Sequence, residues 1–315
     1  MNFKDMLFAD YADMLDLKEA TGYSRTTYFP YIKDFIAYCG DAHPDADSIT
    51  KEMLNKWLHA KHFNSSGSHS SAISRIREFT RYQAAIGKQT YIPSGDYSVK
   101  VARYVPYIFT DQELGRLFDA FDSVTRRSNA PEREYIVPVL FRMMYCCGLR
   151  PSEPLTLLHE DLDLRTGTIY IRQSKRRKDR RVLMSEELTE LCRKYDARSN
   201  RRIYFFERKD NSRIPTYWMT HQFRLCWRNS GLEKRLNPRP YDLRHNFATR
   251  ALMRWMTEGK DVMGMLPYLS AYMGHTEFSA TLYYIHLLPE RLINCAGIDW
   301  ERFSRIYPEA AHEED

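Results

Sequence analysis

Residues 241–286 read YDLRHNFATRALMRWMTEGKDVMGMLPYLSAYMGHTEFSATLYYIH. The spacing of Phe247, Ala251 and Trp255 predicts a helix that opens at Tyr241 and buries that stripe. Pro238 and Pro240 stiffen its entry. A second helix over Leu266–Met273 breaks at Gly274, and His275 follows at once. The stretch closes on two adjacent tyrosines, Tyr283 and Tyr284, and His286. Tyr241 and Arg244 stand three apart at a helix start, so both can face one ligand. Helix N-terminal amides favour a phosphate there. An arginine, a histidine and a candidate tyrosine nucleophile in one segment can handle a phosphodiester if the rest of the chain adds positive charge.

Upstream, that charge is present. A helix from about Pro131 to Cys146 stops at Gly148 and delivers Gly148-Leu-Arg-Pro-Ser-Glu153. The carboxylate three residues beyond Arg150 can hold that guanidinium in a fixed pose. Residues 168–175 alternate with period two, and 181–185 return the pattern, which predicts a β-hairpin. Its tip is basic: from Arg172 to Arg181 there are seven basic residues and one acid. A solvated turn would also carry such charge, but its density fits a DNA contact through Arg176, Arg177, Lys178 and Arg180. Thr110-Asp-Gln-Glu113 is a capping box, and Ser185 caps a helix running to about Tyr195. A short strand is expected at Ile203–Phe206 and a helix at 216–229.

Residues 4–86 read as helices. The first carries an apolar stripe of Phe3, Met6, Leu7, Tyr11, Met14, Leu15 and Leu17. The second runs from near Ser24 to a stop at Gly40, and Thr50 caps a third. In the fourth, Ala72, Ile73, Ile76 and Phe79 face the core, while Ser70, Ser74, Arg77 and Arg81 occupy another face. Hydroxyls and arginines together suit a phosphate backbone, which makes Arg77 and Arg81 candidate DNA contacts. Residues 1–50 hold 4 Lys/Arg against 9 Asp/Glu, and residues 51–95 hold 7 against 2. That asymmetry fits a face for a polyanion as well as an ordinary solvated surface. Gly87, Pro93, Gly95 and Pro106 interrupt the helical pattern and mark a linker.

The 315 residues suffice for two domains, each with a core. No run of 18 apolar residues exists, so no membrane span is expected, and the N-terminus lacks a signal-peptide pattern. Six cysteines without CxxC spacing suggest reduced thiols and a cytoplasmic location. The pair His59 and His62 has no evident third ligand, so no metal site is expected.

In order and spacing, Gly-Leu-Arg-Pro-Ser-Glu, a hairpin lysine, Asp-Leu-Arg-His, Met-Gly-His and a tyrosine nine residues beyond that histidine resemble the tyrosine recombinase (phage integrase) family, mobile-element type. The resemblance covers about 105–290 by motif and 1–90 by helical character. It implies a mainly α fold with a small β-sheet or hairpin in two domains. These are a helical core-type DNA-binding domain at 1–90, a linker at 91–106, and a catalytic domain at 107–315 with a C-terminal tail from 289. It implies that Arg150 and Arg244 hold the scissile phosphate and that Tyr284 attacks it. Lys175 (alternative register Lys178) would protonate the leaving oxygen. His275 would orient the phosphate or take a proton, and Glu153 would support Arg150. Where the family usually has histidine, this chain has Tyr241, a weak base without positive charge that can still donate a hydrogen bond. The implied activity is site-specific DNA recombination through a 3′-phosphotyrosine. That bond conserves energy, so neither ATP nor an essential metal is implied and no cofactor is expected. The expected partners are double-stranded DNA and, on synapsed sites, a homotetramer of subunits that are monomeric when free. A type IB topoisomerase-like relaxing enzyme and a catalytically impaired DNA-binding relative are the alternatives.

Overall fold

The computed structural model describes residues 2–23, 25–97, 104–127, 132–174, 178–198, 202–232 and 237–288. It divides into two compact units, Met1–Tyr104 and Val105–Asp315. No helix among the described residues is long and apolar enough to cross a membrane.

The first unit contains α1 (Phe3–Ala20), α2 (Phe29–Ala42), α3 (Lys51–Ala60) and α4 (Ser66–Ala85). Three begin on a side-chain cap: Asn2 accepts from the Asp5 amide, Thr50 from Met53 and Ser65 from Ser68. The α1 stripe buries Phe3, Leu7, Tyr11, Met14 and Leu15, but Leu17 is 51% exposed and lies off it. Gly40 does not stop α2. A Cβ there would lie 2.3 Å from Lys4 Cβ, so the glycine permits α1 and α2 to approach closely. Buried Asp10 accepts from Gln83 Nε2 (3.0 Å) and Lys88 Nζ (2.6 Å), which fastens the end of α4 to α1.

The expected linker is docked over its first half. The Tyr91 amide donates to Ile49 O (2.8 Å), and Tyr97 Oη donates to Asn55 Oδ1 (2.7 Å). Arg77 donates from Nε to Pro93 O (2.7 Å) and from Nη2 to Ser94 O (2.6 Å). Two of its donors are thus engaged within the chain, on carbonyls that Pro93 and Gly95 leave outside any α-helix. Arg81 is exposed.

The second unit is built around α6 (Arg133–Cys147), with α5 (Asp111–Asp122) beside it. Apolar side chains of α6 are buried around most of its circumference, including Ile136, Val137, Leu140, Phe141, Met143 and Met144. Helices buried all round are central elements, and α6 packs against α5, α8 (Glu186–Asp196) and α10 (Pro240–Thr257). After α6 come the short α7 (Ser152–Thr156) and an antiparallel sheet in the order β1 (Leu162–Asp163), β2 (Thr168–Ser174), β3 (Lys178–Leu183). Ile169 pairs with Val182 and Ile171 with Arg180, so Arg180 shares the inward face of β3 with buried Val182. The expected strand at 203–206 is absent as a strand: Tyr204 forms only an isolated bridge with Leu158, and the buried Phe205 and Phe206 pack against Tyr195. Then follow α9 (Thr216–Asn229), α11 (Val262–Met273) and α12 (Ser279–Leu282). A second cluster in this unit joins Leu252 and Trp255 of α10, Leu266 and Met273 of α11, and Leu282, Tyr284 and Ile285. The hairpin tip at 175–177 and the tail from 289 lie outside the described residues.

Replacing Arg77 with Met should destabilise the first unit by about 1–2 kcal/mol through two lost charge-assisted hydrogen bonds. Urea unfolding of wild type and variant measures this, and DNA affinity should keep the same salt slope. A slope reduced by about 0.9 per lost contact would restore Arg77 to the DNA interface.

Candidate active site

Helix α6 ends at Gly148, which takes the left-handed conformation (φ 59°). A Cβ on this residue would lie 2.5 Å from Phe247 Cδ1, so both the turn and the approach of α10 need glycine. The turn places Arg150 beside the end of α11. That helix also stops on a left-handed glycine, Gly274 (φ 64°).

Three arginines from three separate elements converge on this helix end. Arg180 Nε donates to Tyr272 O (2.9 Å), Arg244 Nη2 to Met273 O (2.7 Å) and Arg150 Nη2 to Gly274 O (2.5 Å). The last carbonyls of a helix lack intrahelical partners and carry its partial negative charge. Arg244 Nη1 also donates to Gly148 O (2.6 Å), which ties the ends of α6 and α11 together. Glu153 is the shared counter-ion. It accepts from Arg150 Nη1 (2.9 Å), from the Arg150 amide (2.7 Å) and from both Nη atoms of Arg180 (2.7 Å each). Burial alone would raise the Glu153 carboxyl, but the hydrogen bonds and charge of Arg180 outweigh it and hold the pKa down at about 2.

Arg180 is thereby reassigned. Expected as a DNA contact at the hairpin, it has a side chain only 7% exposed, turned inward by the pleat of β3 and paired to Glu153. The signal was in the sequence: Arg180 is two residues from Val182, so alternation puts them on one face. Of the other hairpin residues, Lys175, Arg176 and Arg177 lie outside the described residues, as does the side chain of Lys178.

Arg244 is fully buried, and its Nε is without a hydrogen-bond partner. Burial lowers its pKa, the nearby Tyr284 opposes that, and the charge of Arg150 adds to it. Tyr284 is 2% exposed, whereas Tyr283 is half-buried, so the two adjacent tyrosines have different surroundings. Burial pushes the Tyr284 phenol up to about 12, against the pull of Arg244. Its ring lies 5.9 Å from that of His275 and 5.6 Å from that of His245. His275 Nδ1 is 2.6 Å from Thr281 Oγ1, and the Tyr284 amide donates to Thr281 O (3.1 Å), so buried Thr281 links histidine and tyrosine. Tyr241 is half-buried with its ring 4.9 Å from His245. Arg150, Glu153, Tyr241, Arg244, His275 and Tyr284 are thus gathered in one place. The sequence reading missed Thr281. It also missed buried Asn246, which accepts from the Phe109 amide (2.8 Å) and donates to Tyr107 O (2.9 Å), anchoring α10 to the start of the unit. Neither belongs to a charged motif, and each acts through contacts distant from any local pattern.

The geometry gathers three arginines, two histidines and a buried tyrosine on a helical scaffold with one small sheet. The model of the phage integrase family matches residues 108–291, and the chain belongs to that family, whose enzymes cleave and rejoin DNA. A Sinorhizobium fredii protein named as an integrase/recombinase, y4rE, is 28% identical over 281 residues, covering 86% of this chain and 88% of that one. Tyrosine recombinase XerD of Lacticaseibacillus casei is 26% identical over 302 residues, covering 91% and 96%. A lambda integrase (75–356) dimer bound to a COC′ core site shares the fold, with a TM-score of 0.62 at 14% identity over 90% of this chain and 95% of that one.

The electrostatics give a pH prediction. Burial, reinforced by Arg244, lowers His275 to about 3 and His245 to about 4. Both lie below the unfolded value near 6.5, so the folded protein keeps them neutral while the unfolded chain takes up protons as pH falls. Their stabilising contribution is complete above about pH 6.5 and is lost progressively toward about pH 4 for His245 and about pH 3 for His275. Thermal melting should therefore decline over that window, with a shallower decline in His245→Phe. An unchanged decline in the variant would contradict the assignment for His245.

Proposed function

We propose that this chain is a site-specific recombinase of a mobile element, that Tyr284 is its nucleophile, and that double-stranded DNA is its substrate. The single observation behind this reading is the seat of Tyr284: a buried phenol against a buried Arg244 whose Nε is unpartnered, beside His275. Phosphodiester transfer passes through a five-coordinate phosphorus with added negative charge. Arg150 and Arg244 would bind its non-bridging oxygens. With a pKa near 12, Tyr284 is a neutral phenol before the reaction. It becomes nucleophilic as its proton passes to an acceptor, and neutral His275 supplies a lone pair there. Attack by Tyr284 Oη forms the 3′-phosphotyrosine and breaks the bond from phosphorus to the 5′-oxygen. Lys175 would give that leaving oxygen its proton. A 5′-hydroxyl of the exchanged strand then reverses the step, with no net bond energy lost. Tyr241 would donate a hydrogen bond to the phosphate in place of the usual histidine. A tetramer on two synapsed sites is part of the same proposal, as are a cytoplasmic location and DNA contacts by Arg81, Arg176, Arg177 and Lys178.

The test is a suicide DNA substrate that traps the covalent intermediate. Wild type and Tyr283→Phe should both accumulate the adduct, and Tyr284→Phe should form none. An adduct that persists in Tyr284→Phe, or is abolished by Tyr283→Phe alone, would overturn the assignment.

A further inference from the structure

We propose that the catalytic unit carries a second phosphate-binding site, in the hollow enclosed by the end of α5, the start of α6 and the end of α9. The hollow measures about 280 Å³ and is lined by Arg116, Asp119, Arg127, Arg133, Asn229 and Ser230, among others. That volume is at the small end of ligand pockets, which suits a phosphate group better than a large organic molecule.

Arg133 carries the inference. It is 4% exposed, and its Nε has no hydrogen-bond partner. Among the described residues no ion pair involves Arg116, Arg127 or Arg133. Arginine is rarely buried without an anion, because losing water around a charge costs several kcal/mol unless a partner replaces it. Arg133 was accepted into the core beside a cavity and two further guanidinium groups. Both burial and the charge of Arg127 lower its pKa. The position adds to this: Arg133 is the first residue of α6, whose N-cap makes no side-chain cap hydrogen bond, so the positive helix end lies at this residue. Asp119 is the lone carboxylate of the lining, which leaves two net positive charges facing the hollow. A dianionic phosphate matches that charge and the forked donors of arginine.

This is not the catalytic phosphate site. Arg133 and the Gly148–Arg150 turn sit at opposite ends of the 15-residue α6, roughly 21 Å apart at a helical rise of about 1.5 Å per residue. The phosphate can come from a stretch of DNA backbone remote from the cleaved bond or from a free phosphate-bearing ligand.

The experiment titrates inorganic pyrophosphate into the full chain by calorimetry at constant ionic strength. The variants are Arg116→Ala/Arg127→Ala, two exposed positions, and Arg133→Met, which keeps the buried stem. The double variant should bind pyrophosphate at least about tenfold more weakly. Arg133→Met should melt at a higher temperature than wild type without anion, since an unpaired buried charge is gone, and gain nothing from pyrophosphate. Absence of binding to wild type, or binding that survives in both variants (as it would from the catalytic centre), overturns the proposal. A parallel DNA titration separates the two sources. A salt slope reduced by about 0.9 per lost contact in the double variant assigns the site to DNA. An unchanged slope with lost pyrophosphate binding assigns it to a free ligand.

Discussion

The end of helix α11 is the point on which the catalytic unit depends. Its carbonyls at 272, 273 and 274 each accept from a different arginine, and those arginines come from β3, α10 and the turn after α6. A helix C-terminus normally resolves its unpaired carbonyls with water or a glycine turn. Here they serve as fixed acceptors that hold guanidinium groups in register. Elements separated by about a hundred residues in sequence are thereby locked at one place, immediately before His275. Glu153 completes the lock by joining Arg150 to Arg180.

This arrangement concentrates positive charge. Three arginines converge around one carboxylate that pairs with two of them, the third has no exposed surface, and low-dielectric surroundings leave little water to screen them. The carbonyl dipoles offset part of the penalty. In the proposed reaction the rest would be relieved as a phosphate enters, so the free site would favour its ligand and its transition state more strongly still. Burial, with the same field adding to it, keeps both histidines neutral. A neutral His275 can accept a proton from Tyr284, which a charged imidazolium could not do.

Much of this was legible in the chain. Glycine stops at 148 and 274, the capping box at Thr110 and the alternation on either side of residues 175–177 are local signals with local causes. They predicted the helices and the sheet, while the choice of Tyr284 over Tyr283 came from the family resemblance. What failed was reading charge without asking which way it faces. Arg180 looked like part of a basic tip, yet the pleat sends it inward to Glu153. Arg77 looked like a phosphate contact, yet it holds the backbone at 93 and 94. Gly40 read as a helix stop because its true neighbour, Lys4, comes from another helix. Each of these depends on a partner far along the chain, which local pattern cannot supply.

We propose that Arg180 acts by positioning Glu153 and Arg150 rather than by contacting DNA. Single-turnover cleavage by Arg180→Met, measured at saturating DNA alongside the dissociation constant, tests it most directly. Cleavage should slow by about ten- to a hundredfold, through a loosened Arg150, while DNA affinity stays within about twofold. A variant that binds DNA more weakly but cleaves bound DNA at the wild-type rate would contradict the account and return Arg180 to the DNA interface.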